Sequence, residues 1–317
     1  MVLSTGDTHR TRLSDPLGGR LLRTLGGLSG PARTVAPARL ADGRRVLVSG
    51  GEDGRLYVHD PRTGGRVRRQ AAGVGPIRML VTVSLPEGGT RAVAAGHGHQ
   101  AVLWNPDDGT LTRLDSSMVR LSGLAATLLP DGTPVAVAVG EDRDARVWDV
   151  RTGQWLRTLG PHADFVRAVA TATLDDGTVV AVTGCYDGRV QVWNAADGRR
   201  LHSLTGHEDR VTCVAAGTAG ARRVAVSGDR AGRVLVWDLA EGRRLHELVS
   251  AGHGVITCLA LGGDDERGWV VTGCADGRVA VWELGTGRPT HVFAAHPGGV
   301  HSVDVALIDD RLVAVSG

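Results

Sequence analysis

Three histidines stand at nearly equal intervals, His202, His246 and His291, and would make a zinc site if the fold brought their imidazoles around one ion. They continue a row of cations at the same spacing, Arg23, Arg68, Arg113 and Arg157. A second row runs Arg33, Arg78, Ser122, Arg167, Thr212, Thr257 and His301, with Arg120 close by. Guanidiniums grouped in this way could hold an anion or an acidic peptide through paired N–H donors. His97-Gly-His99 puts two more imidazoles in one turn. The four cysteines, Cys185, Cys213, Cys258 and Cys274, show no CxxC spacing, so neither a zinc knuckle nor a disulfide framework is expected. Which of these rows becomes a site depends on the elements that carry them.

Those elements repeat. Gly-Arg-Val-x-Val-Trp followed by Asp, Asn or Glu recurs with Trp at 193, 237 and 282. Looser copies hold Trp104-Asn105, Trp148-Asp149, His59-Asp60 and, most faintly, Ser14-Asp15, at separations of 44 or 45 residues. Seven copies at that period fill the 317 residues. Within each copy, short β-branched runs are bounded by Asp-Gly, Gly-Asp or Thr-Gly, the signature of strands joined by tight turns. The fourth copy reads as strands 166–173, 179–183, 189–194 and 199–204, with turns at Asp176-Gly177, Asp187-Gly188 and Asp197-Gly198. No segment of ten or more residues has a 3.6-residue apolar period, so helix content should be near nil.

Composition excludes several classes. With 36 basic residues, all arginine, against 34 acidic ones, there is no polybasic field to hold nucleic acid or a membrane surface. The lack of lysine and the weight of Ala, Gly, Val and Arg suggest a GC-rich bacterial genome. Residues 1–13 lack the apolar segment of a secretory signal, and no run approaches the roughly 20 residues needed to span a bilayer, so a cytoplasmic location is expected. Glycine, 46 residues, is about twice the ordinary share, and turns that need positive φ are the expected cause.

The Trp-Asp endings of the third strands, Gly206-His207, Gly252-His253 and the period together resemble the WD-repeat (WD40) β-propeller family over essentially the whole chain. The resemblance implies an all-β, seven-bladed propeller of four-stranded antiparallel blades, with the first strand of each blade lining a central channel. One domain would span residues 1–317, with 1–7 a short leader. Residues 8–25 would supply the outer strands of a closing blade and 299–317 its inner strands, so that the two ends clasp one monomeric ring.

The resemblance also implies a buried set in each strong blade: a His before the first strand, Ser or Thr on the second, Asp in the next turn and the Trp indole. Here it predicts His162, Thr183, Asp187 and Trp193 in one blade and His253, Thr272, Asp276 and Trp282 in another. The blade between keeps His207, Ser227 and Trp237 but has Ala231 in the place of the Asp. Such a grouping invites a hydrolase reading, but a nucleophile must be exposed beside an oxyanion site, so a structural role is expected.

Propeller geometry then sorts the rows. Outer strands lie roughly 20 Å from the axis and about 17 Å apart between blades, too far for one zinc, which leaves the histidine row as a solvated rim. The innermost strands are only about 6 Å apart, so Arg33, Arg78, Arg120 and Arg167 could act together. Either carboxylates of neighbouring turns neutralise them, or they bind an anion. In propellers similar to this one, the residues before the first strand and in the second turn reach the top face. Phe165, Tyr186, Arg210 and Arg230 occupy those places and are expected to form a protein-binding hot spot. The expected function is a scaffold for another protein or peptide, without catalysis, metal or cofactor. An anion or acidic-peptide receptor at the arginine arc is the alternative. Asp149-Val-Arg-Thr-Gly-Gln-Trp155 resembles the quinoprotein docking motif, which keeps a propeller enzyme, a quinone-dependent dehydrogenase or a lyase, as a remote third reading.

Overall fold

The computed structural model describes residues 2–4, 11–14, 21–25, 29–96, 100–114, 120–248, 254–263, 267–294, 296–308 and 311–316, and among them there is no helix. Six four-stranded antiparallel sheets follow one another, each a meander in sequence order. Sheet one is Ala32–Arg39, Arg45–Gly51, Arg55–His59 and Arg66–Ala71; sheet two is Ile77–Ser84, Thr90–Gly96, Ala101–Trp104 and Leu111–Leu114. Sheet three is Leu121–Leu128, Pro134–Gly140, Ala145–Asp149 and Trp155–Leu159; sheet four is Val166–Thr173, Val179–Cys185, Val190–Asn194 and Arg200–Leu204. Sheet five is Val211–Ala219, Arg222–Asp229, Val234–Asp238 and Arg243–Leu248; sheet six is Ile256–Gly263, Gly268–Cys274, Arg278–Glu283 and Arg288–Ala294. The chain falls into two compact units, Met1–Asp142 with Arg146–Arg157, and Arg143–Ala145 with Thr158–Gly317.

Burial follows from stacking sheet on sheet. Second strands such as Val179–Cys185 are buried at every residue, which explains why they read as unbroken apolar runs rather than alternations. Fourth strands are the most exposed, as their charged residues require. Within each unit the cores lie between neighbouring sheets: in the second, Val180, Val182 and Val192 of sheet four pack with Val211, Ala225 and Trp237 of sheet five. Val224, Val226 and Val236 continue the series against Ile256, Val270 and Trp282.

Glycine supports this stacking in a second way. The turn glycines Gly177, Gly188 and Gly198 do adopt positive φ. At Gly228, however, the requirement is space: a Cβ there would lie 2.6 Å from Ile256 Cγ2 of the next sheet. Gly184 receives Val211, and Gly273 receives Val300, in the same manner. Turns therefore explain only part of the glycine excess.

Every first strand carries a β-bulge. The register skips Arg33, Arg78, Ser122, Arg167, Thr212 and Thr257, the row noticed in the sequence, leaving each outside the regular ladder. In the second unit the freed side chains tie sheets together. Thr212 Oγ1 lies 3.0 Å from Gly228 O and 2.5 Å from Ile256 O, and Thr257 Oγ1 repeats both contacts with Gly273 O and Val300 O.

At the ends, Thr11–Ser14 pairs with Leu21–Leu25, and Val303–Ile308 pairs with Arg311–Ser316. Val2–Ser4, expected as leader, is instead a strand paired with Thr11–Ser14. It occupies the strand edge that closure would have given to the C-terminal hairpin, and the described pairings do not join the two ends.

Candidate functional site

The buried hydrogen-bond sets exist, but their acids differ from expectation. In sheet four, Trp193 Nε1–H donates to Thr183 Oγ1 at 3.2 Å, and Thr183 meets His162 Nε2 at 2.8 Å. The other ring nitrogen, Nδ1, donates to the carbonyl of Arg143 at 3.0 Å, which fixes the tautomer. Asp187 is not in the chain: its Oδ1 caps its own turn through Arg189 N at 3.0 Å, and its Oδ2 makes no hydrogen bond. Burial pushes the His162 imidazole below its ordinary range, against the opposing pull of the Arg143 carbonyl.

Sheet five has Ala231 in the expected place of the acid, yet among the described residues its set is complete. His207 Nδ1 lies 2.7 Å from Asp229 Oδ2, its Nε2 lies 2.6 Å from Ser227 Oγ, and Trp237 Nε1–H donates to the same Ser227 Oγ at 2.8 Å. Asp229 Oδ1 is filled by Arg233 N at 2.8 Å. A signal for Asp229 was present, since Ser227 and Asp229 are two apart on one strand and must share a face. The Ser-His-Asp geometry is that of a nucleophile relay, but Ser227 and Asp229 are 0% exposed and the indole occupies the serine oxygen. No substrate reaches it.

In sheet six, Trp282 Nε1–H donates to Thr272 Oγ1 at 3.1 Å, while Asp276 caps its turn through Arg278 N. His253, like His97 and His99, lies outside the described residues. In sheet one, His59 takes the indole's place with Nε2 3.2 Å from Ser49 Oγ, and burial plus repulsion from Arg66 push its pKa down to about 4. Because the folded value lies below the unfolded one of about 6.5, the stabilisation is present above pH 6.5 and is lost as pH falls towards 4. We expect a loss of about 3 kcal/mol across that window. Denaturant melts at stepped pH should show it, with a flatter profile for His59→Gln.

Sheets two and three have alanine where the hydroxyl belongs, Ala94 and Ala138, and the buried Trp104 and Trp148 Nε1–H groups find no hydrogen-bond acceptor. Ala94→Ser should supply one and raise stability by about 1 kcal/mol. Thermal melts check this, and the gain should vanish when Trp104→Phe is added.

A second repeated link positions the exposed face. In sheets three, four and five the residue before the first strand accepts a backbone hydrogen bond from the residue after the second strand: Arg120 O from Glu141 N at 3.3 Å, Phe165 O from Tyr186 N at 2.9 Å, and Arg210 O from Arg230 N at 3.0 Å. In the second unit two such pairs converge. The Phe165 and Tyr186 rings are 6.2 Å apart at 50°, and the Arg210 guanidinium carbon sits 4.9 Å from the Tyr186 ring centroid. Phe165 is 38% exposed, with its ring against that of Tyr186.

The arginine row resolves differently. Arg33 pairs with Glu52, Nε to Oε1 at 2.8 Å, and Arg120 approaches Glu141 at 3.7 Å, so carboxylates of neighbouring turns do face these two. Arg33, Arg78 and Arg120 belong to the first unit and Arg167 to the second. On the fourth strands, Arg68 and His202 are more than a solvated rim. Arg68 donates to the carbonyls of Asp107 and Asp108, and His202 to that of Ala240, each in a turn of the following sheet. His291 instead stacks on Phe293 at 5.8 Å. Burial pushes the thiols of Cys213 and Cys274 up to about 12, which leaves them unreactive. Trp155, the tryptophan of the docking-like motif, is 59% exposed, with its Nε1–H bonded to Arg157 O.

Within each unit, four-stranded meanders whose first strands lie side by side have the arrangement of propeller blades. The model of the family described as outer membrane protein assembly factor BamB matches residues 162–316, which is sheets four to six and the strands that follow. The fold is propeller-type. No curated protein matches the chain. The matched stretch contains Phe165, Tyr186, Arg210 and Arg230, so the converging group sits on the part of the propeller with a family likeness.

Proposed function

We propose that the chain is a non-catalytic protein-interaction scaffold, a seven-bladed propeller of the WD-repeat kind, which receives its partner on Phe165, Tyr186, Arg210 and Arg230. The observation that carries this reading is the convergence of two blade-top pairs into one aromatic and cationic surface. Aromatic and arginine anchors on rigid backbone suit an interface, because little conformational entropy is lost when they are covered. The burial of Ser227, His207 and Asp229 supports the absence of catalysis. The exposed Trp155 does not favour a quinone enzyme, since a docking tryptophan should be packed. The ion pairs of Arg33 and Arg120 weaken the reading of the arginine row as an anion receptor.

The test is capture of partners from the native host by wild type and by the triple variant Phe165→Ala, Tyr186→Ala, Arg210→Ala, compared by quantitative mass spectrometry. A set of proteins lost only with the triple variant, at unchanged melting temperature, is the expected result. Identical capture would exclude this face.

A further inference from the structure

We infer that the Phe165–Tyr186–Arg210–Arg230 surface recognises an acidic peptide segment, one in which Asp or Glu flanks an aromatic or branched apolar residue. The inference rests on the scaffold reading above and adds the chemistry of the partner. Its basis is the unspent donor capacity of the two arginines. The Arg210 guanidinium stacks on Tyr186, and no hydrogen bond to its fork is found among the described residues. Among the described residues, Arg230 is joined to the group through its backbone alone. Each guanidinium therefore presents donors in a planar array that matches a carboxylate.

The nearby carboxylates do not fill those donors. Asp164 Oδ1 accepts from Phe165 N at 2.7 Å, Asp209 Oδ1 from Arg210 N at 2.7 Å, and Asp187 faces its own turn and Arg189. They leave the forks open and hold the backbone that presents them. Stacking on Tyr186 also fixes the plane of Arg210, so a bidentate contact is pre-organised, and the partly exposed Phe165 ring alongside is the seat for an apolar side chain. The charge count separates a peptide from a nucleic acid. Two forks without a hydrogen bond among the described residues, beside Asp164, Asp187 and Asp209 on a chain of net charge +2, suit one or two carboxylates; a phosphate backbone needs a continuous basic track.

The experiment is selection of a displayed library of random nine-residue peptides on the full chain, in parallel with the double variant Arg210→Ala, Arg230→Ala. Enrichment of Asp or Glu beside Phe, Leu or Ile on wild type alone is expected. The winning peptide, made synthetically and measured by fluorescence anisotropy, should weaken about tenfold to hundredfold with either single arginine variant or with Glu→Gln in the peptide. Selection of neutral or basic peptides, of none, or of the same peptides by the double variant would overturn the inference. So would tighter binding of a labelled oligo-dT strand than of any selected peptide. If capture from the host still depends on the aromatic pair while acidic peptides fail, the chemistry falls and the scaffold stands. If capture is unaffected, the scaffold reading falls first.

Discussion

Asp229→Ala should destabilise the protein by about 3 kcal/mol, whereas Asp187→Ala should change stability by less than about 0.5 kcal/mol. The contrast follows from where each carboxylate is spent. Asp229 is 0% exposed, accepts from the His207 ring at 2.7 Å and from Arg233 N at 2.8 Å, and holds the ring so that Ser227 and the Trp237 indole complete their chain. Removing it strands a buried imidazole N–H and loosens the two bonds beyond it. Asp187 caps its own turn and makes no hydrogen bond to any member of the His162 set, because the Arg143 carbonyl already accepts from that ring. Asp229→Asn should recover part of the loss by keeping an oxygen near Nδ1. Denaturant unfolding of the three variants with a common m-value is the measurement. Equal losses at 187 and 229 would mean that the turn aspartate is the structural acid after all.

The two aspartates also mark how far sequence reading reaches. Periodicity located the strands of sheet four to within two residues, since each turn carries a glycine that only a tight turn needs. The blade-top positions that the family resemblance implied include the three side chains that meet here, Phe165, Tyr186 and Arg210. What periodicity missed lies where one repeat departs from its siblings. Asp229 stands where the other repeats have cysteine or glycine, so alignment by motif passed over it and alignment by strand face would have found it. The bulges were invisible for the opposite reason. An inserted residue common to every repeat leaves the period unchanged, and arginine, serine and threonine at the bulge share no composition. At the termini, Val2–Ser4 is too short to show an alternation, yet it takes the strand edge on which ring closure was expected to depend.

Gly228→Ala should cost about 2 to 3 kcal/mol, although it replaces a residue of low strand propensity by a better one. Its backbone carries no positive φ, so no conformational strain enters. The cost is collision: the new Cβ would meet Ile256 Cγ2 at 2.6 Å, Ile256 Cβ at 2.9 Å and Cys213 Sγ at 3.0 Å. Ile256 is β-branched and 0% exposed, which leaves it few rotamers with which to retreat, so the two sheets must part. Separation weakens the contact of Thr212 Oγ1 with Ile256 O, which closes the same seam. The diagnostic is the double variant. Ile256→Ala alone should cost about 3 kcal/mol through the cavity it leaves. Combined with Gly228→Ala, the total should fall below the sum of the single losses by more than about 1 kcal/mol, because each change relieves the other. Strict additivity in equilibrium unfolding would show that glycine serves the strand here, and the repeated glycines at the ends of second strands would need another explanation.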